Sequence, residues 1–529
     1  MKSEDSVQAA RTRWLIALSV TFGTMMGALD ASIMNVALSH VRGSVGATVQ
    51  EVTWLSTAYV LATVLVMPLT GFFGRLYGQK TVYLSCLTLF VIGSALCAVA
   101  PSFAWLVVFR ALQGLGAGAL QPTEQAILRQ TFPPEQHGVA MGMFSVAVGV
   151  GPALGPSLGG WIVDNFHWSW IFLINIPVGA VGFLMVARFV PPDERPTAEA
   201  AERQRGNMDW LGICLLWVSL LALQFVLEEG QRYEWFDSPA IVVLMVTAIF
   251  SGIAFVIREL TAPAPAVNLR VFRDPTYTVG SLVSAVAMAI LLSGTFLLPL
   301  FMQELLGYTA MRSGMAQFPR TIVMIIAMPL VGRFYNHVSP RVFVVAGVVI
   351  TALGQFMLAK LSLQSNDSHV IGALVLQGLG MSLVLVPLST LSLSRIPKAE
   401  LGDAAGLAAL LRQVGISTGL AVLASSLERS AVVAQESLKW QLTPERLEAG
   451  GRVASNVGAA LERGVGALAG QLPLEHGLAA EVVRQGRLLA FQNTFMLGAF
   501  LYSLLLLFVW FVRAPAAPAH APNVEPPEV

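Results

Sequence analysis

Apolar residues run along this chain in long blocks, separated by short segments that carry its charges and many of its turn-forming residues. Fourteen blocks are long enough to matter: 14–38, 51–73, 81–100, 105–128, 139–162, 168–189, 209–228, 239–260, 277–302, 313–335, 342–362, 369–391, 404–427 and 489–512. A helix rising about 1.5 Å per residue needs about 20 apolar residues to cross a hydrocarbon core. The pattern therefore predicts an all-α polytopic membrane protein with 14 transmembrane helices.

Composition agrees. Apolar residues make up 55% of the chain, charged residues 12%, and mean hydropathy is +0.69, whereas soluble domains carry roughly 25% charge. Lys and Arg are distributed unevenly. With the N-terminus in the cytoplasm, the cytoplasmic short loops and termini hold 18 of them and the opposite short loops 4, the asymmetry that sets topology. An even number of spans then leaves both termini cytoplasmic, with 1–13 as the N-terminal segment and 513–529 as the tail. "MKSEDSVQAARTRW" enters the first block with no cleavage site, so a retained signal anchor is expected. Cys86, Cys97 and Cys214 lie in apolar blocks without metal or disulfide spacing. A net charge of +1 says nothing about nucleic acid; no basic tract is present, and no nucleic-acid partner is expected. No Walker motif, nucleophile elbow or His/Cys cluster occurs, so neither ATP drive nor enzyme chemistry is expected.

The chain repeats itself. "LQGLG" stands at 112–116 and 376–380; "MPLTG" at 67–71 answers "MPLVG" at 328–332. Gly138 and Gly142 match Gly402 and Gly406, and Gly151 and Gly155 match Gly415 and Gly419. Blocks 2–5 thus resemble blocks 10–13 in the same orientation, a parallel repeat of six-helix halves, which is a transporter architecture. The expected layout is an N-terminal half at 14–189, a cytoplasmic linker at 190–208, two inserted helices at 209–260 and a C-terminal half at 277–512.

Within this plan a few residues are out of place. Asp30 is a lone carboxylate in "MGALDASIMNVAL", and Arg110 and Glu124 interrupt the fourth block. Ionisable groups are costly there and mark functional sites by default. Asp30 is read either as a hydrogen-bonded acid that never titrates or as a proton carrier. Arg110 is either its partner or a snorkelling cation. Glu124 is a second titrating acid or an interfacial one. Asn35, Gln113, Arg320 and Arg412 are candidates to line a cavity or to pair structurally. Met25, Met26, Met34, Phe144 and Phe172 suit a greasy pocket as well as ordinary packing. In "GFFGRLYGQK", Gly71, Arg75, Gly78 and Lys80 form a basic turn. Gly114 belongs to a close-packing strip with Gly116 and Gly118. "GVGPALGPSLGGW" sets Pro152 and Pro156 to bend a helix whose Gly151, Gly155, Gly159 and Gly160 make a flat face.

These segments resemble the motifs of the major facilitator superfamily, and "GVGPALGPSLGG" the one associated with antiporters. "LDASIMNVAL" and "WSWIFLINIPVG" are similar to its fourteen-span drug:proton antiporter branch, the EmrB/QacA type. Where the superfamily loop motif usually has Asp, this chain has Arg75, as the EmrB type is also basic there. The resemblance implies a proton-coupled exporter of amphipathic toxicants, alternating access between the halves, with Asp30 as proton carrier. It needs no cofactor beyond the proton-motive force. The competing functions are a proton-coupled nutrient importer and a non-transporting sensor or scaffold. The long segment 428–488 has apolar residues at helical spacing, Ala431, Val432, Ala434 and Leu438, then Val453, Val457, Leu461, Val465 and Leu468, with a helix start at Thr443. It is expected to form short amphipathic helices outside the membrane. By the resemblance it docks a periplasmic membrane-fusion adaptor that feeds an outer-membrane channel, which places the chain in a bacterial inner membrane.

Overall fold

The computed structural model describes residues 2–193, 209–263, 265–441 and 474–509. Most of the expected linker, the centre of the long segment and the C-terminal tail lie outside the described residues. Every regular element among the described residues is helical. The first ten are α1 (Lys2–Val45), α2 (Val49–Val52), α3 (Trp54–Val66), α4 (Thr70–Tyr77), α5 (Gln79–Ala98), α6 (Phe103–Gly118), α7 (Leu120–Thr131), α8 (His137–Asn165), α9 (Trp170–Leu173) and α10 (Asn175–Phe189). Then come α11 (Trp210–Glu229), α12 (Pro239–Thr261), α13 (Pro275–Glu304), α14 (Ala310–Phe334), α15 (Pro340–Ala359), α16 (Asp367–Ser392), α17 (Leu401–Gln441) and α18 (Leu474–Val509). Thirteen stretches are long and apolar enough to cross a bilayer, and the bent α8 brings the number to 14.

The breaks have local causes. The second span is α3 and α4 joined by a 3-10 turn at Met67–Leu69, where Pro68 has no N–H to give. In α8 the chain bends by 41° between Pro152 and Leu154. Pro156 cannot donate to the carbonyl of Pro152, four residues back. The Ser32 hydroxyl of α1 donates to that oxygen instead, at 3.0 Å. An orphan carbonyl in a membrane costs several kcal/mol, so the bend is tied to α1. A Cβ at Gly151 or Gly155 would strike Ala28 or Ser32, and one at Gly159 would crowd Ile33. Gly160 has nothing nearer than 3.9 Å, so the expectation that it shares this flat face is corrected.

The long segment also departs from expectation at its described ends. Ala431, Val432, Ala434 and Leu438 belong to α17, which continues unbroken to Gln441, and α18 begins at Leu474. The flanking spans extend; no separate short helix starts there. Thr443 and Val453 to Leu468 lie outside the described residues.

The sequence repeat is a packing repeat. In the first half α1 packs on α8 and α10, α3 on α6, and α5 on α6 and α10; in the second α13 packs on α17 and α18, α14 on α16, and α15 on α16 and α18. The matched glycines sit at matched crossings. A Cβ at Gly114 would meet the Tyr59 carbonyl, and one at Gly378 the Arg320 carbonyl; Gly151 faces Ala28 as Gly415 faces Ala285. Close approach of backbones is how membrane helices gain packing energy without a hydrophobic driving force between them.

The two halves meet through the same repeats. Met67 and Gly71 abut Gly406 and Gly402, while Met328 and Gly332 abut Gly142 and Gly138. Arg75 pairs with Asp403 across this seam. Asn336, at the position matching Arg75, donates to the Glu135 carbonyl, and Arg129 donates to the Leu393 carbonyl at 2.7 Å. The Arg75 end of the molecule is therefore shut. Away from it, inserted helix α11 contacts both α3 and α17: Trp217 donates to the Leu65 carbonyl, Thr57 to Glu229, and Ser417 to Glu228.

Gly138→Leu should force α8 from α14 at the shut end. Hydrogen exchange at 134–142 and 328–336 is expected to quicken roughly tenfold or more, with the centre of α6 unchanged. Unaltered exchange would show that the glycine seam does not hold this end closed.

Candidate functional site

Asp30 lies about two-thirds of the way along α1 and is 3% exposed. Its Oδ2 pairs with Arg110 Nη1 of α6 at 2.6 Å. Its Oδ1 accepts from Gln113 Nε2 at 2.9 Å and from Asn175 Nδ2 of α10 at 2.8 Å. One turn of helix α6 therefore matters: Arg110 and Gln113, three residues apart, share one face, and Arg110 Nη1 also donates to Gln113 Oε1 at 2.7 Å. Ser94 of α5 accepts from Gln113 and Asn175 and donates to the Phe172 carbonyl at 3.0 Å. Arg110 Nε donates to the Leu55 carbonyl at 3.1 Å, and its guanidinium lies 4.4 Å from the Tyr59 ring centroid and 5.6 Å from that of Phe172. One network thus binds α1, α3, α5, α6, α9 and α10. In the second half, the crossing that places Ala28 on Gly151 puts Ala287 where Asp30 would be, and Leu374 matches Arg110 in the LQGLG alignment. Both are apolar, so the charged lock belongs to one half.

Asp30 is sealed by its own half. A substrate cation has no open place on the Asp30 oxygens, because their three donors, Arg110, Gln113 and Asn175, all come from the protein and the residue is buried. The Asp30 carboxylate is only one of several holds on Arg110. Without it, Arg110 would keep the Leu55 carbonyl, Gln113 and two ring faces, so the lock can open without stranding the cation.

The other sequence candidates are spread out. Glu124 of α7 is fully buried, which removes the interfacial reading; Thr21 of α1 donates to its Oε1 at 2.9 Å, and Oε2 has no partner among the described residues. It stands apart from the Asp30 network. Asn35 is exposed and accepts from Ser56 at 3.3 Å, so it is not part of the buried site. Lys80 ties its loop to α10 of the same half through the carbonyls of Ala187 and Val190. Gly78 takes φ +86°, a conformation other residues resist. Arg320 is buried on α14 with its Nη2 3.4 Å from Gln317 Oε1, and Arg412 is buried on α17. Met26, Met34, Phe144 and Phe172 all pack in the core.

Sequence reasoning missed Asn175, Ser94, Asp403, Glu228 and Glu229. Asn175 had a signal, an amide two residues before Pro177 within "LINIPVG" in an apolar block. Asp403 had one too, an acid adjoining the repeated Gly402. No group of His, Cys, Asp or Glu among the described residues could hold a metal.

Asn175→Leu removes donors to both Asp30 and Ser94. Stability against unfolding in detergent should fall by about 1–3 kcal/mol, the cost of leaving buried partners unpaired. Wild-type stability would mean that the amide is a bystander.

Comparisons with known proteins are consistent with this architecture. The family model described as Major Facilitator Superfamily matches residues 20–420. The chain is 31% identical to the fatty acid resistance protein FarB of Neisseria gonorrhoeae over 96% of its own length and 97% of that protein's. It is also 31% identical, with the same coverage, to the multidrug export protein EmrB of Haemophilus influenzae. Among solved structures, the human organic anion transporter MFSD10 (TETRAN) superposes with a TM-score of 0.57 at 14% identity, covering 93% of this chain and 99% of that one, a likeness of fold alone. With near full-length matches to export and resistance proteins and a superfamily model spanning most of the sequence, the chain is a transporter rather than an enzyme and belongs to the major facilitator superfamily.

Proposed function

We propose that this chain is a drug:proton antiporter, exporting amphipathic toxicants by alternating access between its halves, with Asp30 as the proton carrier. The observation that carries the reading is the single buried carboxylate of α1 locked to Arg110, in the half that holds the bent α8. Protonation of Asp30 releases Arg110 and loosens α1 from α6 and α10. Because α1 also holds the bend of α8 through Ser32, and α8 meets α14 at the shut end, the change has a route to the interface between halves. Arg75–Asp403 would break as that end opens. Glu124 is a second acid in the same half that can take a proton. The proton gradient supplies the energy, and no cofactor is required. The relatives' names, multidrug export and fatty acid resistance, support the direction of transport and the greasy character of the cargo.

The reading extends to the setting. The chain would lie in a bacterial inner membrane with both termini cytoplasmic, so the Arg75 end faces the cytoplasm. Residues 442–473 would then lie on the periplasmic side, between the extended α17 and α18, where an adaptor of the membrane-fusion type can dock and pass cargo to an outer-membrane channel.

Asp30→Asn keeps an oxygen for Arg110 but cannot exchange a proton. Resistance in a pump-deficient host should vanish, and so should counterflow driven by an inward acid gradient in vesicles, while abundance in the membrane stays at the wild-type level. Wild-type resistance in Asp30→Asn cells would remove the proton-carrier role, and substrate moving in the same direction as protons would replace export by import.

A further inference from the structure

Arg412 of α17 is 7% exposed, and its Nη2 is buried with no hydrogen-bond partner. No ion pair engages it among the described residues. Its guanidinium points across the interface between halves and lies 5.9 Å from the ring centroid of Phe144 on α8. Ile416, one turn on and so on the same face, packs against the apolar cluster that fills this interface. That cluster contains Met288, Met324, Met328 and Met381 from the second half beside Phe144 from the first. Met324 and Met328 lie against Gly149 of α8. Of the acids on neighbouring elements, Asp403, about 13 Å back along α17, pairs with Arg75, Glu228 of α11 is held by Ser417 and Gln224, and Glu124 of α7 accepts from Thr21 of α1, with no ion pair to Arg412.

A guanidinium cannot shed its proton to escape burial, and an uncompensated charge in a membrane interior is expensive. Its flat fork of donors fits a carboxylate. The neighbouring methionines are flexible and polarisable, suited to chains of varied shape. We propose that Arg412 and this methionine-rich seam form the substrate site for single-chain anionic amphiphiles, Arg412 holding the carboxylate head and the seam the tail. This rests on the transport reading above and narrows it to a substrate class. The head group is held in the second half, apart from the proton site in the first, so cargo and proton communicate through the packing of the halves rather than by sharing an atom.

The test uses the full chain in phosphatidylcholine nanodiscs, with empty discs as the partition control, and three probes of equal tail length: laurate, dodecylammonium and 1-dodecanol. Laurate should bind at least roughly tenfold tighter than the other two. Arg412→Gln should abolish that preference while leaving 1-dodecanol unchanged, and Arg412→Lys should keep part of it. Equal binding of the three probes, or full laurate preference in Arg412→Gln, would overturn the proposal. If Arg412→Gln does not accumulate, the preference of the wild-type chain decides alone. Adding phosphatidylglycerol should not displace laurate; displacement would assign the site to a membrane lipid and overturn the proposal. Flux separates the two readings. Gradient-driven export of dodecylammonium without laurate binding would keep the antiporter and sink this site. Laurate binding dependent on Arg412, without gradient-driven flux of any probe, would do the reverse.

Discussion

A charged pair in the interior of a membrane protein stands or falls on its partners. Asp30 and Arg110 satisfy each other at 2.6 Å, and the remaining capacity of both is met by Gln113, Asn175 and the Leu55 carbonyl. Removing two charges from water is costly, and the pair repays it only with such geometry. The helices of the first half are accordingly arranged around the pair: α1 brings the acid, α6 the base and an amide, α10 a second amide, α5 a hydroxyl and α3 a carbonyl and a ring. The second half reaches the same helix packing with Ala287 and Leu374 in the corresponding places. The fold therefore does not need the pair, and the asymmetry directs attention to what the pair can do. In the proposed mechanism, protonation of Asp30 changes its grip on Arg110.

Rigid halves can rock against each other only if their contacts are separable, and the contacts at the shut end have that character. They are backbone-to-backbone approaches at glycines, two side chain to carbonyl bonds and one ion pair, Arg75–Asp403, whose Arg75 side chain is 32% exposed. None has the depth of the network inside the first half. The glycines recur because the sequence repeats, so one short motif closes the end twice, as Met67–Gly71 on Gly402 and Gly406 and as Met328–Gly332 on Gly138 and Gly142. The inserted helix α11 has a different attachment, through hydroxyl and carboxylate bonds to both α3 and α17, and so touches each half where the repeat supplies no contact.

Much of this was legible in the sequence because the bilayer makes it so. The apolar blocks had to be helices, the glycine and proline spacing in 149–161 had to bend and flatten α8, and an acid in the first block and a base in the fourth were natural partners. Gly160 falls outside the period of four set by Gly151, Gly155 and Gly159: one residue past Gly159, it is turned about 100° off their face. The burial of Glu124 is not readable from its place in the fourth block, because it depends on α1, which covers it and donates from Thr21. Asn175, Ser94 and Glu228 were hidden because amides, hydroxyls and end-of-span acids are common in such helices, and their meaning depends on which helix faces them. The pairing of Arg75 with Asp403 joins residues 328 positions apart, a relation that only the repeat's two-fold packing makes visible.

The central claim is that Asp30 exchanges its proton as cargo binds, and proton release reads it directly. Purified chain in weakly buffered solution is mixed with a compound it exports while a pH indicator is followed. The account predicts that the wild-type chain releases a proton on binding and that Asp30→Asn binds the compound without release. Undiminished release from Asp30→Asn, with loss of release in Glu124→Gln, would contradict it and move the proton to α7.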